Sequence, residues 1–283
     1  MPSVKILTDS ACDIEPNYLE SLGIAVVPLT VRFGSESHID GYEMRGKMFY
    51  DKLKTFDGLP RTSSPSVGDF QTAFDAITAD GSGVVAILLS EVLSGTYQAA
   101  QMAASMLPDR KIAIINSKTA SVGYGLIVLE AHNLACQGAS FEDVRDAAQA
   151  MVDRLVTIYA VDTLDYLYKN GRIGRAIHFW GSMLNMKPLL VLDPDGYVSG
   201  LERVRGKIKV IPRMIELAGE RVPYGSKVKL GMCHGNVPEQ GEKLVAAAKE
   251  KWVVLRTVET EIGGVIGIHN GPGTLALIVL PEE

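Results

Sequence analysis

Short β-branched runs that alternate with longer, helix-spaced stretches constrain this chain more than any other feature. Val4–Leu7, Ile24–Leu29, Val84–Leu89 and Ile112–Ile115 are mainly apolar. Phe49–Leu53, Gly68–Ala79, Thr96–Met106 and Ala120–Cys136 between them repeat apolar residues at helical spacing. Buried strands separated by helices predict a mainly parallel, doubly wound sheet covered on both faces. Gly58–Ser66 reads as a turn-rich loop within that series.

The pattern changes after about residue 158. Ile158–Val161 reads as a strand, followed by short helices at Leu164–Lys169 and Ala176–Met183. Leu189–Leu192 and Tyr197–Arg203 flank Asp193-Pro194-Asp195-Gly196, whose Asp-Gly supplies hairpin turn chemistry. Ile208–Gly219 and Pro238–Lys251 look helical; Lys227–Met232, Val253–Val258 and Thr274–Val279 look extended. A hairpin inside such a series implies a mixed sheet. The expected fold is therefore two α/β domains. The first, residues 1–155, has a mainly parallel doubly wound sheet, and the second, 156–283, has a mixed sheet with helices.

Composition narrows the function classes. With 283 residues, 47% of them hydrophobic and 22% charged, the chain has material for a real core and lies far from disordered compositions. A net charge of −5 gives no general attraction to nucleic acid, and no helix-turn-helix signal or basic face supports a transcriptional module. The opening MPSVKILTDS looks like a first strand and lacks the basic start and apolar run of a signal peptide. No stretch reaches the ~20 apolar residues of a membrane helix. Cys12, Cys136 and Cys233 are dispersed, which fits a reducing cytoplasm better than a disulfide framework or a zinc site.

Familiar catalytic signatures are missing: there is no G-x-S-x-G, no H-E-x-x-H and no G-x-G-x-x-G after a strand. Gly41 to Lys47 has P-loop spacing, but Met48 replaces the hydroxyl residue and no strand feeds the loop, so a turn before a helix is expected. Hydroxyls are better placed. Ser90 to Thr96 follows a strand and precedes a helix, the place where doubly wound sheets bind ligands. There, Ser94 could join free N–H groups in holding an anion, or could simply cap the helix. In Thr62-Ser63-Ser64-Pro65-Ser66, Ser64 and Pro65 are expected to start a helix, which leaves Thr62 and Ser63 to face a ligand. Thr8-Asp9-Ser10 closes the first strand in the same style. Together these three clusters point to an anion held by neutral donors. Lys169 to Arg175 brings Arg172 and Arg175 into a glycine-flanked bend, suited either to a carboxylate or phosphate or to a solvated helix end. His269 is expected in a glycine-rich loop between strands, where a lone histidine is more often structural than functional. His38, His132, His178 and His234 have weaker contexts, and no two histidines show metal-ligand spacing. Neither a metal nor a cofactor is expected.

These pieces occur in an order that resembles the DegV family. Thr8-Asp9-Ser10-Ala11-Cys12-Asp13 is similar to its T-D-S-x-x-D opening. Asp40-Gly41, Phe49-Tyr50, Thr62 to Ser66, Leu89-Ser90, Leu93 to Tyr97, Gly171-Arg172-Ile173 and His269-x-Gly271-Pro272-Gly273 follow. Asn116-Ser117 departs from it, because the family more often has an aspartate before that serine. The resemblance spans nearly the whole chain. It implies a protein that buries a single long-chain fatty acid and presents its carboxylate to a separate fatty acid kinase, which forms the acyl phosphate used in phospholipid synthesis. It further implies that Thr62, Ser94 and the Gly95 N–H bind the carboxylate, and that Arg172 and His269 serve the head group or phosphate transfer. On this reading the protein is a carrier without catalysis of its own. The alternative is an acyl hydrolase or acyl transferase with Ser94 as nucleophile and His269 as base.

Overall fold

A computed structural model describes residues 4–181 and 186–282. The chain begins with β1 (Val4–Asp9), α1 (Pro16–Ser21), β2 (Ala25–Val27), β3 (Thr30–Phe33), β4 (Glu36–Ile39), α2 (Gly46–Thr55) and β5 (Arg61–Ser63). It continues through α3 (Val67–Thr78), β6 (Gly83–Leu88), α4 (Thr96–Ser105), β7 (Ile112–Asn116), α5 (Val122–Cys136) and α6 (Phe141–Arg154). Next come β8 (Val156–Ala160), α7 (Asp165–Lys169), β9 (Met186–Leu192), β10 (Val198–Arg205) and α8 (Val210–Gly219). The last elements are β11 (Lys227–His234), α9 (Pro238–Lys249), β12 (Val253–Glu261), α10 (Gly264–Asn270) and β13 (Leu275–Pro281).

The first sheet has the order β2-β1-β6-β7 and is parallel throughout, as the alternating pattern implies. All six residues of β6 are buried, because helices cover both faces. Val84, Ala86 and Leu88 pack with Phe70 and Phe74 of α3 and Ala100 of α4. Val85 and Ile87 pack on the opposite side with α5 and α6. The period of two in a strand produces this division. The second sheet is mixed, with the order β10-β9-β8-β13-β11-β12. Its β9–β10 pair is the expected hairpin, and β11–β12 is its parallel pair. Strands of the first sheet come from residues 4–116 and those of the second from 156–281.

Helix α5 lies between the two sheets. It packs on β1 and β6 on one side and on β11 and β12 on the other. Eleven of its residues are buried, from Val122 to Ala135. A helix that is apolar around its whole circumference needs such a position.

Several features differ from the sequence expectation, which also lacks α1, β3, β4 and α6. Residues of the Gly58–Ser66 loop form β5, which joins β3 and β4 in a small antiparallel sheet of order β4-β3-β5. Ser66, rather than Ser64, caps α3: its hydroxyl accepts from Asp69 N while Asp69 accepts from Ser66 N, a capping box. The expected helix from Ala176 is a 3-10 turn over Gly174–Phe179; Ser182 and Met183 fall outside the described residues. His269 sits in the last turn of α10, not in a loop. The Gly41–Lys47 segment is the turn entering α2, and Lys47 pairs with Asp51 along that helix.

Candidate functional site

A cavity of about 380 Å³ lies where the loops after β6 and β7, strand β5 and helix α10 meet the inner face of the second sheet. That volume falls within the usual range of small-molecule sites. Its apolar wall includes Leu29, Leu89, Leu167, Val198, Ile262 and Ile266. Strand register gives it depth. Thr274 just before β13, then Ala276 and Ile278 along it, succeed one another, and Ala276 and Ile278 face Tyr159 and Thr157 of β8. From Thr274 to Ile278 is about 13 Å at the usual strand rise.

One set of polar residues gathers toward Thr274, whose hydroxyl donates to Asn270 O, while Ser121 and Thr157 line the slot elsewhere. Thr62, Ser63 and Ser64 arrive from β5 and the segment after it, and Ser94 and Gly95 from the turn before α4. Ser63, Ser64 and Gly95 are exposed, so this end opens to solvent. The Ser94 hydroxyl accepts from Thr96 N at 3.3 Å and shares a hydrogen bond with Thr96 Oγ1 at 2.8 Å. Gly95, not Ser94, is the N-cap of α4, and no side chain caps that helix. Apart from Thr96 N, which already donates to the Ser94 hydroxyl, its first N–H groups are open to an anion.

Thr62 Oγ1 lies 3.3 Å from His269 Nε2. His269 Nδ1 is buried without a hydrogen-bond partner. Burial first, and then the positive charge of Arg172, hold this imidazole down at about 4. His269 is therefore neutral near pH 7. Arg172 donates from Nε to Leu93 O at 2.7 Å and from a terminal nitrogen to Asn170 O at 3.3 Å. Its guanidinium ties the second half of the chain to the turn bearing Ser94. The bend holding it relies on Gly174, which has φ +52 and stands so close to Val198 O that a Cβ would lie 2.8 Å away. Arg172 is the one permanently charged residue among the described residues lining the cavity, and no carboxylate lines it.

The structure thus brings together Thr62, Ser94, Gly95, Arg172 and His269, drawn from four separate stretches of chain. The other predicted groups lie elsewhere. Arg175 is turned to Asp193 and Asp195, at 2.7 and 2.8 Å. Thr8, Asp9 and Ser10 are buried and do not line the cavity, which corrects their reading as an anion site. Thr8 donates to Ile87 O, and Asp9 accepts from Ala11 N, Leu89 N and Tyr124 OH. Burial raises the Asp9 carboxyl to about 6. Ser10 donates to Asp40, also buried. His234 ends β11, where its Nδ1 accepts from Val237 N at 3.4 Å.

Sequence reasoning attached no role to Asp13 and Asp40 beyond their motifs. Asp13 accepts from Gly263 N at 2.9 Å and from the Ser121 hydroxyl; Asp40 accepts from Val265 N at 3.1 Å. Two carboxyl groups thereby hold the N-terminus of the helix that ends in His269. Desolvation pushes Asp13 up to about 8 and also raises Asp40. Chemically, this cavity can take an amphiphile with an apolar tail and one acidic head. A hydrolytic triad has less support, because no acceptor orients His269 Nδ1 and Ser94 is bonded to Thr96.

Among the described residues, no helix is long and apolar enough to cross a membrane, and no group of His, Cys, Asp and Glu could hold a metal ion. The family model described as an uncharacterised protein of the DegV family matches residues 3–282. A DegV domain-containing protein of Halalkalibacterium halodurans is 34% identical over 278 residues, which cover 98% of each chain. Another from Caldanaerobacter subterraneus is 32% identical over 272 residues, covering 96% of each. Among solved structures, a DegV family protein from Thermus thermophilus, described for its fatty acid binding, is similar with a TM-score of 0.91. It is 29% identical, and 99% of each chain is covered. DegV of Bacillus subtilis, described as a fatty acid binding protein, is similar with a TM-score of 0.87, also at 29% identity and 99% of each chain. With its motifs in family order and a family match that runs from residue 3 to residue 282, this chain belongs to the DegV family.

Proposed function

We propose that this chain binds one long-chain fatty acid, its tail in the apolar cavity and its carboxylate at the solvent end. The observation that carries this reading is the cavity itself: an apolar slot with one permanent positive charge, and with the Thr62 and Ser94 hydroxyls beside open helix N–H groups at its solvent end. The solved relatives described as fatty acid binding proteins support it. In this assignment Thr62, Ser94 and the Gly95 N–H take the carboxylate. Arg172 and the neutral His269 stand beside it for phosphate transfer on a separate fatty acid kinase. The protein is then a carrier and partner in acyl-phosphate formation, acting in the cytoplasm. Residues 1–155 and 156–283 are its two domains, with the carboxylate loops mainly in the first.

The energetics agree. Burying a sixteen-carbon tail is worth roughly 10 kcal/mol gross, at ~0.8 kcal/mol per methylene, before the cost of ordering the chain and the ligand. The head group then sets direction more than affinity. The test is mass spectrometry of an organic extract of the purified protein, paired with uptake of fatty acid by delipidated protein. One intact fatty acid per chain is expected. Protein that carries none and takes up none overturns the reading.

A further inference from the structure

The inner end of the cavity is a thin partition. Thr157 of β8 and Leu192 of β9 line the cavity on one side and a second cavity, of about 270 Å³, on the other. The β7–α5 loop divides in the same way. Ala120 and Ser121 face the first cavity, whereas Lys118 and Thr119 face the second. Across the divide, Thr119 Oγ1 and Thr157 Oγ1 are hydrogen-bonded at 3.3 Å. Thr157 pairs with Ile278, so along the second sheet this bridge stands at the end of the slot away from Thr274. Asp153 and Arg221, both exposed, are among the second cavity's other walls.

We propose that the Thr119–Thr157 hydroxyl pair, flanked by Leu192, is the end-stop that sets the longest acyl chain this protein accepts. The proposal rests on the fatty-acid reading above. A tail that fits ends against Thr157, whose hydroxyl is satisfied by Thr119 behind it. A longer tail must part them, leaving both unpaired against hydrocarbon, before it gains the second cavity. The two threonines thereby make chain length a property of one hydrogen bond and two methyl groups. Shortening these side chains opens the slot into the second cavity, and enlarging Thr157 shortens it.

The test offers delipidated wild type and variants an equimolar ladder of saturated fatty acids differing by two carbons, and counts the bound acids by mass spectrometry. In Thr119→Ala/Thr157→Ala, the ratio of the next longer acid to the wild-type preference should rise about tenfold, the gain from burying two more methylenes. Thr157→Leu should move the preference to shorter acids. Thermal melting checks that each variant folds, and Thr157→Leu decides alone where the double variant does not. An unchanged chain-length profile in a folded variant overturns the end-stop while leaving fatty-acid binding intact. Wild type that takes up no acid from the ladder instead overturns the functional reading on which the end-stop depends.

Discussion

His269 is held neutral by two causes of unequal size, and they can be separated. Desolvation is the larger and Arg172 the smaller. Arg172→Ala should therefore raise the imidazole from about 4 only part of the way to its ordinary value near 6.5, as an NMR titration of the ring protons would show. A full return to 6.5 would mean that the guanidinium, not burial, dominates. The linkage has a definite sign. Because His269 is depressed in the fold, the stability it supports is present above pH 6.5 and is lost as pH falls toward 4. Asp13 acts in the opposite direction. Its carboxyl is raised to about 8, so its contribution is complete below the ordinary carboxylate range and is lost as pH rises toward 8. Asp13→Asn should flatten that part of the curve of melting temperature against pH; an unaltered slope would remove Asp13 from the account. At the head group, Ser94→Ala and Thr62→Ala each delete one donor, at about 1–3 kcal/mol of binding. The double variant should lose more than either alone in fatty-acid titrations. Binding equal to wild type in the double variant would place the carboxylate elsewhere.

Helix α10 shows what a short element contributes and why its sequence misleads. Gly263, Gly264 and Gly267 make the stretch look like a loop, yet they serve close packing. A Cβ on Gly267 would lie 2.4 Å from the ring of Phe49, which is fully buried in α2. Asp13 and Asp40 hold the N-terminus of the same helix. Gly267→Ala should therefore cost about 1–3 kcal/mol by overpacking. It should also lower acyl-phosphate formation with a fatty acid kinase by displacing His269, which thermal unfolding and a phosphorylation assay would measure together. The larger elements were legible because their signals are local: β1 and β6 are β-branched runs, and the Asp-Gly turn announces the β9–β10 hairpin. Strands β3, β4 and β5 have only three or four residues each, too few for a period of two to stand out. Helix α6 did carry a signal, the Ser140–Asp143 capping box, which its charge-rich exposed face obscured. Thr62, Ser94, Arg172 and His269 were legible through family motifs, but not their convergence, which depends on contacts between distant stretches of chain. Asn116 shows another limit. Its amide donates to Glu91 at 2.8 Å, so the neutral residue suits a site where an aspartate would face a carboxylate.

At the scale of the whole molecule, α5 joins the two sheets into one core, while the cavity opens beside it where their loops meet. One side of the solvent end comes from β5 and the turn before α4, and the other from Arg172 and α10. Arg172 spans the two through Leu93 O, so the head-group site exists only while both halves are in register. A carrier and a hydrolase would use this arrangement differently. A hydrolase requires His269 to take the Ser94 proton, so that losing either residue abolishes ester cleavage. A carrier has no such step and uses His269 only when a kinase delivers phosphate to the bound carboxylate. Wild type offered acyl esters should therefore show no multiple-turnover cleavage. His269→Ala should retain bound fatty acid yet form much less acyl phosphate when mixed with a fatty acid kinase and ATP. The two assays, run side by side on both proteins, separate the cases. Ester cleavage by wild type that disappears in His269→Ala would make the protein an acyl hydrolase. Undiminished phosphorylation in His269→Ala would remove the histidine from phosphate transfer and leave it a support for Thr62.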